Sequence, residues 1–431
     1  MKKCTLMLTI FAMALSSMPA FGATDAEIRA LKAQMREMQR KIQKLEQGST
    51  EHVNQAAVND MVEKAISKEG VPEWLSKIFG FEGEVSYKYK KINDKQADTD
   101  DQSNELKGLL TIYGKVNDET DLVMRFRADT VQGNDDKNVD MELLYVDYHP
   151  QSIDRLPFIG TGIDMLAGVT PFYEPGLVEG AHVLGGIIPY PFYHPVNVNI
   201  AFDGPELDGF SGIFKKDLGD NVELFTTAGG FWINKNADTT SVDTSLWGGQ
   251  AGLTYMVPGL DDTYATMAVG YFDYGNAEGV LSGSSNTNDG AKLANDFDLI
   301  VANGEINFPL NKDLPILSDY PVTIFGEFAN NTAATTDGDT AYCFGLSVGE
   351  IAAVGMWQFV YNYKDIEKDA ALDIHNEGFG KTTDVTGHTF ELGYRLAENI
   401  SLTAGYLAGK QNVSTDKENY DELTLNVGFA F

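Results

Sequence analysis

From Phe81 onward, apolar and polar residues alternate with period two in segments of about ten residues. The first segment sets Phe81, Gly83, Val85, Tyr87 and Tyr89 against Glu82, Glu84, Ser86, Lys88 and Lys90. Further on, Trp357, Phe359, Tyr361 and Tyr363 oppose Gln358, Val360, Asn362 and Lys364. The chain closes with Leu423, Leu425, Val427, Phe429 and Phe431 opposing Glu422, Thr424, Asn426, Gly428 and Ala430. Successive side chains of a strand leave opposite faces, so each segment has one apolar and one polar face. A soluble β-sandwich also alternates, but it does not place charges on its inward face and rows of aromatics on the other.

The pattern predicts strands at 81–92, 105–117, 120–131, 139–150, 161–171, 206–216, 221–233 and 245–256. It continues at 263–274, 297–308, 319–330, 340–350, 355–365, 386–396, 400–410 and 420–431. Linkers after odd segments are mostly long, polar and acidic, such as 93–104, 275–296 and 366–385. Those after even segments are mostly short, such as 117–119, 217–220 and 397–399. Long loops on one rim and tight turns on the other are the asymmetry of a transmembrane barrel. The expected fold is therefore all-β: an antiparallel transmembrane β-barrel of about sixteen strands over residues 81–431, with both termini on the short-turn, periplasmic side.

The N-terminus carries a different pattern. Lys2 and Lys3 precede an uncharged apolar run from Leu6 to Leu15, and Ala20-Phe21-Gly22-Ala23 offers small residues for cleavage, so residues 1–23 read as a secretory signal. Next, Ile28, Leu31, Met35, Met38, Ile42 and Leu45 form a heptad seam, with complementary or neutral pairs Glu27–Lys32, Gln34–Gln39 and Lys41–Glu46. Residues 24–47 are thus expected to form a short periplasmic coiled-coil stalk of a parallel homo-oligomer. A single amphipathic helix lying on a surface gives the same stripe. Trimer is the preferred number, although Ile at a with Leu at d leans toward dimers. Residues 48–80 read as a linker with a short helix, ending in the aromatic cluster Trp74, Phe79 and Phe81.

Composition adds the solvent side of the picture. The formal net charge is −31, and all of the acidic excess falls in residues 81–431. That excludes a nucleic-acid partner and suits acidic loops facing lipopolysaccharide and divalent cations, or a cation-preferring pore. Once the signal is removed only Cys343 remains, so no internal disulfide is expected. Paired-cysteine metal sites, His-Glu-x-x-His and phosphate-binding glycine loops are lacking, so neither an enzyme nor a metal or cofactor is expected. His388 and Ser401 are weighed as neighbours on adjacent strands, a juxtaposition that chance explains.

One linker stands apart. Residues 172–205 are less polar than the other loops and stiffened by Pro175, Pro189, Pro191 and Pro195 among several aromatics. A sixteen-strand barrel leaves an aqueous channel, and this loop is expected to fold inward and narrow it. Arg125 and Arg127 fall on the polar face of their segment, with Lys115 beside them and Arg395 inward on the fourteenth. Facing carboxylates are sought in Glu174 and Glu179 on the loop and in Glu305, Glu327 and Glu391 on the wall. Opposed charges of this kind make a transverse field that sorts solutes.

Met356-Trp357-Gln358, Glu367-Lys368-Asp369-Ala370, Gly387-His388 and Leu402-Thr403-Ala404-Gly405-Tyr406 resemble the putative porin family of proteobacterial outer membranes. Pro321-Val322-Thr323-Ile324-Phe325-Gly326-Glu327 and Phe202-Asp203-Gly204 look similar too. The resemblance covers most of residues 81–431 and implies a passive outer-membrane channel. The architecture also looks like that of phosphate-selective porins, but residues 172–205 contain no arginine or lysine. The terminal Phe431 resembles the sorting signal read by the barrel-assembly machinery. Expected partners are outer-membrane lipid and lipopolysaccharide, further copies of the chain, and peptidoglycan if the stalk serves as a tether.

Overall fold

The computed structural model describes residues 79–431 apart from 95–98, 118, 132–137, 150–179, 196–197, 199, 203–205, 235–242, 261, 283–284, 291, 311–319, 374–381 and 415–417. The signal, the heptad segment and nearly all of the linker lie outside the described residues. No helix among the described residues is long and apolar enough to cross a membrane.

Sixteen antiparallel strands close into one barrel. The first eight are β1 (Phe79–Asp94), β2 (Thr99–Asn117), β3 (Thr120–Val131), β4 (Asn138–Tyr148), β5 (Gly180–Ile188), β6 (Leu207–Asp217), β7 (Val222–Asn234) and β8 (Thr244–Met256). After β9 (Tyr264–Gly275) a two-residue hairpin, β10 (Asn288–Asp289) and β11 (Lys292–Leu293), stands in the loop outside the wall. The wall resumes with β12 (Phe297–Pro309), β13 (Pro321–Asn331), β14 (Thr340–Gly349), β15 (Trp357–Ile366), β16 (Val385–Ala397), β17 (Ile400–Gln411) and β18 (Glu418–Ala430). β18 pairs with β1 from Glu84↔Ala430 to Asp94↔Tyr420, which removes both sheet edges.

The alternation explains the wall. On β12 to β14 the side chains of Ile300, Ile306, Ile324, Phe328, Tyr342 and Phe344 point outward and are exposed. Their neighbours Val301, Glu305, Phe325, Glu327 and Cys343 are buried inside. Aromatics gather toward both ends of the outer face, with Trp247, Tyr271 and Tyr342 near one rim and Phe81, Tyr255 and Phe429 near the other. His388 faces outward, stacked on Tyr361 and hydrogen-bonded to its hydroxyl at 3.0 Å. It pairs with Ala408 while Ser401 pairs with Arg395, so the two are not neighbours.

The fifth strand departs from the sequence expectation. Residues 161–171 lie outside the described residues, and the fifth place in the wall is taken by Gly180–Ile188, paired with β4 and β6. The sequence pattern places that segment within the loop 172–205. The β4–β5 seam has only five register pairs, Leu144↔Ile187 to Tyr148↔Val183. Gly186 lies in it at φ +131°, where an added Cβ would sit 2.2 Å from the Leu144 carbonyl oxygen. On the long-loop rim, residues 285–287 and 368–373 are locked together. The Ser285 and Thr287 N–H groups donate to Asp373 and Asp369 at 3.0 and 2.8 Å. Asn286 Nδ2 donates to the carbonyls of Lys368 and Ala371.

Candidate functional site

The described residues between β5 and β6 pack against inward-facing side chains of the wall. Phe192, Tyr193, Val198, Ile200, Ala201 and Phe202 are all buried. The Phe192 ring meets Phe272 of β9 edge-on at 4.9 Å and Phe231 of β7 at 6.2 Å, and Phe202 lies 4.8 Å from Phe272. These separations are those of favourable aromatic pairs. Gly248 of β8 makes the room: a methyl group there would lie 2.8 Å from the Phe192 ring.

A buried backbone needs partners for its N–H and C=O groups, and three lumen-facing side chains supply them. The Tyr193 N–H donates to Gln250 Oε1 at 2.7 Å, and Gln250 Nε2 donates back to the Tyr193 carbonyl at 2.8 Å. Asn303 Nδ2 donates to the same carbonyl at 3.1 Å. The Ala201 N–H donates to Glu327 Oε1 at 3.1 Å, and Asn303 reaches Glu327 Oε2 at 3.4 Å. Wall strands β8, β12 and β13 thus hold the segment by its main chain. Burial lowers the His194 imidazole on this segment below its ordinary value, with the Pro195 carbonyl acting the other way.

The charged residues expected at the constriction fall into several environments. Arg125 and Arg127 face inward on β3. Arg125 Nε lies 2.5 Å from Glu142 Oε2, and Nη2 lies 3.7 Å from Glu206. Arg127 bridges Asp129 at 3.1 Å and Glu142 at 3.5 Å. Two arginines therefore share one carboxylate on the adjacent strand, and they are paired side by side rather than set against a row across the lumen. Burial raises the Glu206 carboxyl above its ordinary value, the Glu142 carboxylate adds to the rise, and Arg125 opposes it.

Glu327 belongs to the loop anchorage, and Glu305 accepts a long hydrogen bond from the Tyr264 hydroxyl at 3.4 Å. Arg395 donates from Nε to the Ile351 carbonyl at 2.9 Å, which ties it to the β14–β15 turn and away from any constriction. Lys115 sits at the short-turn end opposite Asp121. Glu391 lies inward on β16, half-buried. Glu174 and Glu179 lie outside the described residues. Among the described residues no group of His, Cys, Asp and Glu side chains is arranged to hold a metal ion.

The lumen is consequently asymmetric. Inner residues of β7 to β13 such as Phe225, Leu246, Phe272, Leu299 and Phe325 are at most 3% exposed. Inner residues of β16 to β18 and β1, namely Thr389, Thr403, Thr424, Asn426, Ser86 and Lys88, are only half-buried. Water has room along this second arc.

Comparison with known proteins bears on the barrel fold. Residues 178–313 match the family model described as Putative porin. The matched stretch runs through β5 to β12 and includes the inward segment with Gln250 and Asn303. A high-pH structure of OprB from Pseudomonas putida aligns with a TM-score of 0.57 at 11% identity, over 86% of this chain and 97% of that one. It shares the barrel fold. A mutant of Rh. blastica porin aligns over 82% of this chain and 100% of that one, at 11% identity and a TM-score of 0.44. No curated protein matches the sequence.

Proposed function

We propose that the chain is an outer-membrane diffusion pore: a water-filled barrel passing small hydrophilic solutes and ions, with a preference for cations. One observation carries the reading. The inward segment is bound to one half of the wall while the polar inner face of the other half stays accessible, a narrowed tube rather than a filled one. A structural barrel needs no such half-empty lumen. The preference for cations follows from the acidic excess and from carboxylates that match or outnumber their arginines in the Arg125, Arg127, Glu142, Glu206 group. The barrel sits in outer-membrane lipid and lipopolysaccharide, enters it with help from the assembly machinery reading Phe431, and forms a homotrimer joined by the periplasmic stalk of residues 24–47.

Purified protein in planar bilayers tests this. Stepwise, ohmic conductance with a cation-selective reversal potential that strengthens at low salt is the expected result. Anion selectivity removes the acidic-pore argument. No conductance, together with co-sedimentation on peptidoglycan, replaces the pore with a tether to the cell wall. The double change Arg125→Ala, Arg127→Ala leaves Glu142 unpaired at the lumen and should move the reversal potential further toward cations.

A further inference from the structure

The accessible arc has a charge pattern of its own. Glu391 on β16 pairs with Gly405, Gly405 with Thr424, and Thr424 with Lys90 on β1. One row nearer the short turns, Gly393, Thr403, Asn426 and Lys88 line up in the same order. Lys90 is neutralised by Glu422 at 2.8 Å. What remains is an uncharged strip of Gly405, Thr403, Thr424 and Asn426 with a carboxylate at one end and Lys88 at the other. On β2, Glu105 stands opposite Lys88 and Lys107 opposite Ser86, and Lys107 in turn faces Asp129, which Arg127 holds at 3.1 Å, so two lysines stand at that end against Glu105. No cation stands opposite Glu391 in register, where its partners are Val360 and Gly405.

Strands lie about 4.8 Å apart and the two rows about 6.8 Å apart along them, which puts Glu391 and Lys88 roughly 16 Å apart along the wall. A charged hydrogen bond takes about 2.8 Å at each end. The remaining span of about 10 Å is that of three extended residues at ~3.5 Å each. We propose, resting on the pore reading, that this strip is a contact site for short zwitterionic peptides. The ammonium group lies at Glu391 and the carboxylate at Lys88 and Lys107, while Thr403, Thr424 and Asn426 serve the peptide groups between.

The test is entry of trialanine into proteoliposomes, compared with the same peptide acetylated at its N-terminus and amidated at its C-terminus. Two exposed ion-pair contacts predict that the free peptide enters roughly threefold to tenfold faster. Glu391→Gln and Lys88→Gln should each bring that ratio down while leaving entry of the capped peptide and heat-modifiable mobility of the barrel intact. The capped peptide is bulkier, so a ratio that stays the same in Glu391→Gln reports size alone and overturns the proposal. Equal rates in the unaltered protein overturn it as well. A barrel that neither conducts nor admits any solute refutes the pore itself, a distinguishable failure.

Discussion

Two arcs of one barrel wall share strand geometry and differ in what their inward positions carry. From β7 to β13 those positions hold Phe225, Phe231, Leu246, Phe272, Phe297 and Leu299, all buried, with Gln250, Asn303 and Glu327 set among them as main-chain anchors. From β16 through β18 to β3 they hold mainly threonine, asparagine, serine, glycine and charged residues, with Val385, Tyr420 and Val123 buried among them. The first arc has become half of a protein core whose other half is the segment from Pro189 to Phe202. The second has remained a channel lining. A barrel thus acquires an off-centre passage without any change of strand number, because apolar inward residues are tolerated only where a segment covers them.

The sharpest way to break this contrast is to truncate one residue in each arc. Phe272→Ala removes the ring that meets both Phe192 and Phe202, and a loss of about 3–5 kcal/mol is expected from the cavity. Thr403→Ala on the other arc should stay within about 0.5 kcal/mol. Denaturant unfolding of the folded barrel in detergent micelles measures both. Comparable losses would mean that the two arcs do not differ in kind.

Gln250→Leu probes the anchorage more finely. It keeps the volume but leaves the Tyr193 N–H without its acceptor and weakens the bonding of its carbonyl, at a cost of about 1–3 kcal/mol for the unsatisfied group. Single-channel conductance and the size limit for solutes should both rise as the segment loosens from the wall. An unchanged conductance with reduced stability would make Gln250 part of the core and no determinant of pore width.

The alternation and loop parity made the barrel legible, because lipid outside and water inside enforce a period of two. They failed where the inner face is not wet. In β5, Ile187 and Ile188 are both apolar since one faces out and the other faces the covered lumen, so the segment reads as loop. Phe231-Trp232 and Tyr271-Phe272 show the same doubling, but longer alternating flanks rescued those strands. The stiff aromatic segment announced its inward fold through its prolines. Its partners were hidden, because Gln250 and Asn303 look like any uncharged lumen residue. Glu142 was missed for a geometric reason: the register slips between Arg125 and Phe126, from Leu143 to Met141. That bulge gives Glu142 no single partner in the ladder and frees it to serve both arginines.

The smallest expected effect, and the one that best sharpens the contrast, concerns pH. Glu206 precedes β6 at the border between the arcs, and burial beside Glu142 holds its carboxyl above the ordinary value. A carboxyl with a raised pKa gains its proton earlier as pH falls, so Glu206 turns neutral before a carboxyl at the ordinary value does. One negative charge then leaves the Arg125 group while carboxylates at the ordinary value are still ionised. Cation preference should begin to decline at a pH above the range in which ordinary carboxylates titrate, and Glu206→Gln should abolish that early step and leave the later decline in place. Reversal potentials taken across a pH series on both proteins measure it. If the early step persists in Glu206→Gln, the titrating group lies elsewhere on the accessible arc, with Glu391 the next to replace.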